Sequence, residues 1–229
     1  MKQLFNLETN HNSEIDEKFH QLNIGNIGNI IYWLKYFEIV KNVPGDIVEC
    51  GIGRGRSLLV ISAINSILNK DEGGERNVYG YDSFEGFPEP SIEDDSYRKP
   101  KKGEWSASPS GKYEYSQEFI KLVLTEAMVP VNNLKLTKGF FGDSLINHPN
   151  NPIAILHVDG DLYQSYIDTL QNLYPKVSKG GLIVFDDFLA QKDDNERWPG
   201  ARKAVEEFFG DKIENLKISE RGTPYYIKD

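Results

Sequence analysis

The sequence has a single cysteine, Cys50, in 229 residues. No internal disulfide can staple the chain, and a reducing cytoplasm is its expected home. Cations are scarce beside acids: Lys and Arg number 26 against 35 Asp and Glu, a formal charge of −9. That balance disfavours a general nucleic-acid binder, which needs a cationic face to displace counterions, and it disfavours docking on anionic lipid. No apolar run approaches the ~20 residues of a membrane span. The opening MKQLFNLETNHNSEIDEKF lacks the apolar centre of a signal peptide. Internal repeats and low-complexity tracts are missing too. What the sequence does have, 39% apolar and 12% aromatic residues, suffices for one sizeable core.

Residues 1–23 are polar and read as an arm, in which His11 and His20 are given no role. Residues 27–41 have the spacing of an amphipathic helix with Ile27, Ile30, Ile31, Leu34 and Phe37 on its core side. Pro44-Gly45 stops it. An N-terminal arm and helix (1–43) is therefore expected ahead of one domain (44–229). That domain opens with a strand, Asp46 to Cys50, a glycine turn, and a helix from Ser57 to Asn69. A second strand, 77–81, ends at Asp82. Residues 85–111, rich in Pro, Gly, Ser and charge, read as a long lid-like loop. A helix over 115–128 and a short strand at 134–136 follow. Strand 153–158 ends at Asp159, and strand 182–185 ends at Asp186-Asp187, with a helix over 163–174 between them. A helix over 201–209 and a final edge strand at 225–227 complete the pattern. Strands alternating with helices predict an α/β fold with a mostly parallel sheet.

Two groups of residues carry chemistry. The turn Gly51-Ile52-Gly53-Arg54-Gly55 lets a ligand approach the backbone and aims the following helix N-terminus at it. The dinucleotide fingerprint wants glycine at position 56, where Arg56 stands. Ordinary turn glycines and a capping acid would explain the pattern alone. With Asp82 ending the next strand, a nucleoside-containing ligand explains it better, since a carboxylate can accept from both ribose hydroxyls. The second group is Asp159, Asp161, Asp186 and Asp187. If their strands are neighbours, these carboxylates crowd at the C-terminal sheet edge and repel unless a cation neutralises them. An oxygen-only set favours Mg²⁺, with Mn²⁺ or Ca²⁺ as substitutes. Taken singly, Asp161 could instead cap the helix beginning near Tyr163.

The segments GDIVECGIGRGRSL (45–58), YGYDSFEGFPEP (79–90), KGFFGDSL (138–145), HVDGDLYQSYIDTLQNLYPKVSKGGLIVFDDF (157–188) and WPGARKAVEEFF (198–209) together resemble the macrocin O-methyltransferase family. These are S-adenosylmethionine (SAM)- and Mg²⁺-dependent sugar O-methyltransferases. The resemblance implies the Rossmann-like class I methyltransferase fold, a seven-stranded sheet with a final antiparallel hairpin. It implies Asp159, Asp186 and Asp187 as metal ligands. For SAM it implies Glu49, Gly51 and Asp82, with Gly53, Arg56, Ser57, Ser83 and Phe84 beside them, and Asp143 with Ser144 near the adenine. The N-terminal portion looks short for this family, so acceptor specificity does not carry over.

A sugar hydroxyl is a poor nucleophile near neutral pH and must lose its proton during attack. Asp159 and Asp161 are the candidate bases. His157 shares a sheet face with Asp159 but sits one pleat deeper, where a packed strand residue is the plainer reading. His148, beside Pro149, reads as loop surface. Trp105 is a candidate sugar platform or loop anchor, and Trp198 a candidate acceptor wall or packing residue. A small-molecule sugar acceptor and a homodimer are the expected partners. Two other readings stand beside this one: an NAD-dependent oxidoreductase, and a non-catalytic nucleoside- or metal-binding module on the same fold.

Overall fold

The computed structural model describes residues 24–68, 76–188 and 195–229. The expected arm at 1–23 lies outside them. In chain order the main elements are α1 (Ile24–Ile39), β1 (Asp46–Cys50), α2 (Arg56–Leu68), β2 (Val78–Asp82), α3 (Gln117–Glu126), β3 (Leu134–Lys138), α4 (Phe141–Ser144), β4 (Ile153–Val158), α5 (Tyr163–Leu173), β5 (Val177–Phe185), α6 (Pro199–Phe209), β6 (Lys217–Ile218) and β7 (Pro224–Ile227). The seven strands form one sheet in the order β3-β2-β1-β4-β5-β7-β6. The first five run parallel and the β6–β7 hairpin runs antiparallel. The 225–227 strand is therefore not the edge, since β6 lies outside it.

Helices cover both faces, as a parallel sheet requires. One core cluster joins α1, α2 and α3 to the sheet, and the other joins α5 and α6 to its opposite face. β4 is buried along its whole length. Such a strand reads as an unbroken apolar run except at His157.

Three local expectations are corrected. In α1 the buried side is Asn26, Asn29, Tyr32, Trp33, Tyr36 and Phe37, while Ile27, Ile31 and Leu34 are exposed. Both faces carry apolar residues at helical spacing, and the aromatic face has the larger area to bury. Asp161 does not cap α5. The first amide of that helix, at Tyr163, donates to Asp94 Oδ1 at 2.7 Å, so the cap comes from within the long loop. His148 is buried rather than on the surface. Its Nδ1 lies 2.8 Å from the Tyr81 hydroxyl, and burial, then Lys176, pushes its pKa down to about 4.

The stretch from Glu85 to Gly111 contains a short 3-10 turn, Ile92–Asp94, and an isolated antiparallel bridge from Ala107 to Glu114. It is nevertheless held at several points. Phe87 and Gly103 bracket it, with the Phe87 amide donating to Glu104 and the Gly103 amide to Phe87. Asp94 is buried where it caps α5.

Candidate active site

The register of the central strands sets the site. Val158 pairs with Phe185, so Asp159 and Asp186-Asp187 leave the sheet at the same level. Cys50 pairs with both Val158 and Tyr81, which brings the glycine turn and Asp82 to that level as well. Together they edge a cavity of about 380 Å³, a size suited to a small-molecule ligand. Gly51, Gly53, Arg56, Ser57, Asp82, Ser83, Asp159, Asp161, Asp186 and Asp187 line it.

Other expected site residues lie outside the lining. Phe84 packs into the core and offers only its amide to Asp82 Oδ1, at 2.7 Å. Asp143 is exposed and Ser144 is buried against Gly139. The neighbouring Phe140 and Phe141 line the cavity in their place, as do Gln164 and Asp168 from α5. Glu49 and His157 sit behind the cavity, fully buried.

The glycines divide by role. A Cβ on Gly51, whose φ is +98°, would lie 1.7 Å from the Asp159 carbonyl oxygen. Gly51 is thus required by the approach of two strand ends, not by a ligand. A Cβ on Gly53 would meet nothing within 4 Å. The open space over Gly53 is where a ligand can lie against backbone. Asp82 also serves the scaffold: Oδ2 accepts from the Ile52 and Gly53 amides, each at 2.9 Å, and Oδ1 accepts from Phe84. Three of its roughly four lone-pair sites are taken. Room for a ribose hydroxyl remains, but not for the two-hydroxyl grip expected from the sequence unless a backbone amide gives way.

The acid quartet differs. Oxygens of Asp159, Asp186 and Asp187 can all lie within 4.8 Å of one another. Burial, then Asp186 and Asp187, pushes the Asp159 carboxyl well above its usual range. Burial, then Asp187, does the same to Asp161. Burial, then Asp186, raises Asp187 to about 7. Asp186, partly open to solvent, goes the other way: burial opposes ionisation, but His157 and the arginines Arg221 and Arg56 outweigh it. Like charges crowded this way fit a divalent cation, and an oxygen-only donor set suits a hard one.

A second acid–histidine group, Glu49, His157 and Asp159, is also compact. There His157 Nδ1 already lies 3.0 Å from Glu49 Oε1, so the pair is a hydrogen-bonded support behind the quartet. Trp33 of α1 packs edge-on against the His157 ring at 4.9 Å.

Sequence reasoning missed Tyr166, in α5. Its hydroxyl accepts from the Asp187 amide at 3.0 Å and lies 3.1 Å from Asp187 Oδ2. The same Oδ2 accepts from the Asp161 amide at 2.8 Å. That bond holds Asp161 in a left-handed conformation, φ 59°, with its carboxyl at the cavity wall. Arg197, Trp198 and Trp105 line another part of the wall. Trp198 is buried, with the Arg98 and Arg197 guanidiniums 5.3 and 5.1 Å from its ring centre, so it packs and lines at once. Arg221, from the β6–β7 turn, also reaches the cavity. No periodicity or motif in the sequence places it there.

Comparison with known proteins shows the family and the fold. The family model "Macrocin-O-methyltransferase (TylF)" matches residues 36–215. The chain is 34% identical over 170 residues to demethyldecarbamoylnovobiocin O-methyltransferase of Streptomyces niveus, covering 74% of this chain and 60% of that protein. It is 30% identical over 150 residues to 8-demethyl-8-(2,3-dimethoxy-alpha-L-rhamnosyl)-tetracenomycin-C 4'-O-methyltransferase of Streptomyces olivaceus, covering 66% and 55%. The chain thus spans under two thirds of the length of these relatives. Among solved structures, the O-methyltransferase NovP superposes with a TM-score of 0.66 at 29% identity, over 90% of this chain and 81% of that one.

Proposed function

The chain belongs to the macrocin O-methyltransferase family, and on that premise we propose that it transfers the methyl group of SAM to a sugar hydroxyl of a glycosylated small molecule. The observation that carries the reading is one cavity holding both an open glycine turn beside Asp82 and a compact cluster of Asp159, Asp186 and Asp187. Arg56, where a dinucleotide fingerprint wants glycine, disfavours an NAD enzyme, and a binding module does not need both features. The rhamnosyl group in the name of one relative supports a sugar acceptor.

The residues of the cavity fit both SAM and Mg²⁺. The space over Gly53 and the spare acceptor capacity of Asp82 suit the nucleoside part of SAM, and Phe140 and Phe141 offer aromatic surface to its base. Asp159, Asp186 and Asp187 would hold Mg²⁺. SAM supplies an electrophilic methyl group, and Mg²⁺ supplies Lewis acidity toward a hydroxyl.

The chain's own residues then orient the acceptor and take its proton. Asp161 is the proposed base. Its carboxyl lies at the cavity wall beside the Asp159, Asp186 and Asp187 cluster, and burial, then Asp187, raises its affinity for a proton. Tyr166 and the Asp161 amide fix Asp187, and the buried Glu49–His157 pair backs Asp186 from beneath, with His157 Nε2 3.9 Å from Asp186 Oδ1.

Calorimetric titration with SAM and S-adenosylhomocysteine tests the reading, using wild type and Asp82→Ala with and without Mg²⁺. Binding in wild type that is lost in the variant is the expected result. Folded, ligand-free wild type that binds neither compound contradicts the proposal.

A further inference from the structure

Among the arginines that line the cavity, two are held by the same helix. Arg56 opens α2 just after the glycine turn, and Arg221 sits in the β6–β7 turn, 165 residues later in sequence. Helix α1 brings them to one wall. Asn26 Oδ1 accepts from Arg56 Nη2 at 3.0 Å, and Asn29 Oδ1 accepts from Arg221 Nη1 at 3.0 Å. Both asparagines are nearly inaccessible, at 2% and 4% exposure, on a helix face otherwise made of aromatic rings. A polar side chain buried there is costly unless bonded, and these two are bonded to guanidiniums.

Arg221 is further fixed by its position 5.3 Å from the Tyr32 ring centre, and its turn is tied to α1 by the Lys35–Glu220 ion pair. The wall is therefore built rather than incidental. It is also under electrostatic load. Burial, then the like charges of Arg54 and Arg221, pushes the Arg56 guanidinium below its usual range. Both arginines donate to neutral amides, and the acid on which both act is Asp186. A cation held by the quartet would draw on that same carboxylate. Paired guanidiniums match the oxygens of carboxylate and phosphate.

We propose that Arg56 and Arg221 form a receptor for an anionic group, a carboxylate or a phosphate, on a molecule bound in the cavity. The inference rests on the methyltransferase reading. Two sources offer that chemistry: the methionyl carboxylate of the cofactor, and the phosphates of an acceptor sugar carried on a nucleoside diphosphate.

Calorimetry on the full chain separates them. The proteins are wild type, Arg56→Gln, Arg221→Gln and the Arg56→Lys/Arg221→Lys double variant, each checked by thermal melting. The probes are S-adenosylhomocysteine, 5′-methylthioadenosine, which lacks the amino-acid carboxylate, and thymidine diphosphate-glucose added to protein saturated with S-adenosylhomocysteine. A cofactor carboxylate at this wall predicts S-adenosylhomocysteine weakened about tenfold or more by each Gln variant, with methylthioadenosine unchanged. An acceptor phosphate predicts unchanged S-adenosylhomocysteine and the same loss for thymidine diphosphate-glucose. In either case the Lys variant, which keeps the charge and should fold even if a Gln variant does not, loses less. Affinities for all three probes that do not differ between wild type and variants overturn the receptor. Wild type that binds no S-adenosylhomocysteine at all overturns the methyltransferase reading instead.

Discussion

The cavity has carboxylates at both ends, each at the C-terminal end of a strand in one sheet; burial raises Asp82 as it raises Asp159 and Asp187, yet their partners differ. Asp82, after β2, is satisfied by the amides of Ile52, Gly53 and Phe84. Asp159, Asp186 and Asp187, after β4 and β5, are crowded against one another, and burial raises Asp159 and Asp187. Only β1 separates the two groups of strands. Position on the sheet edge therefore does not fix what an acid does there; its donors do. Asp82 holds a turn together and keeps one acceptor site for a ligand, whereas the quartet lowers the stability of the metal-free chain and gains most from a cation.

The sharpest way to break this comparison is Asp159→Asn. Loss of a ligand and of local charge should lower methyl transfer by about a thousandfold or more, measured with labelled SAM, because activity would depend on the cation. The same change should raise the melting temperature of metal-free protein at pH 8, since one of the repelling charges is gone. A drop in that temperature would count against the crowding account.

His148 offers a control far from the quartet, because its pKa moves the other way. Its folded pKa of about 4 lies below the ordinary 6.5. Its contribution to stability is therefore complete above pH 6.5 and lost as pH falls through about 4, roughly 3 kcal/mol in all. Denaturant titrations between pH 7 and 4.5 should show a shallower loss for His148→Gln than for wild type. Equal slopes would place the acid sensitivity elsewhere.

Asp82→Asn should behave unlike Asp159→Asn. It weakens charge-assisted bonds to the turn, so stability should fall by about 2 kcal/mol with or without Mg²⁺, read from chemical denaturation. Tyr166→Phe is the mildest change. Losing one hydroxyl should cost about 1 kcal/mol and loosen Asp187, with Mg²⁺ affinity by calorimetry falling severalfold.

The fold was legible in the sequence because each β4- and β5-type apolar run ends in an acid and is followed by helical spacing. The metal candidates were legible for the same reason: parallel strands in register deliver their C-terminal residues to one edge. What escaped depends on partners distant in sequence. Asp94 caps α5 from 69 residues away, and His148 is buried by Tyr81 across 67 residues. The α1 faces were misread because isoleucines and aromatics both recur at helical spacing, and only the sheet beneath decides between them. Arg221 was invisible, since nothing in a hairpin turn announces that an asparagine on another element will hold its side chain at the cavity.

The most direct test of the central claim is thermal melting at pH 5.5 and pH 8, with and without 10 mM MgCl₂. Asp187 has its folded pKa raised to about 7; relative to an ordinary carboxyl, its contribution to stability is present below about pH 4 and lost as pH rises through 7. Metal-free protein should thus lose the remainder of this contribution between the two pH values, and Mg²⁺ should restore more stability at pH 8 than at pH 5.5, with no restoration in Asp159→Asn. A Mg²⁺ shift that is absent, or equal at both pH values and unaffected by Asp159→Asn, would contradict a cation site built from these acids.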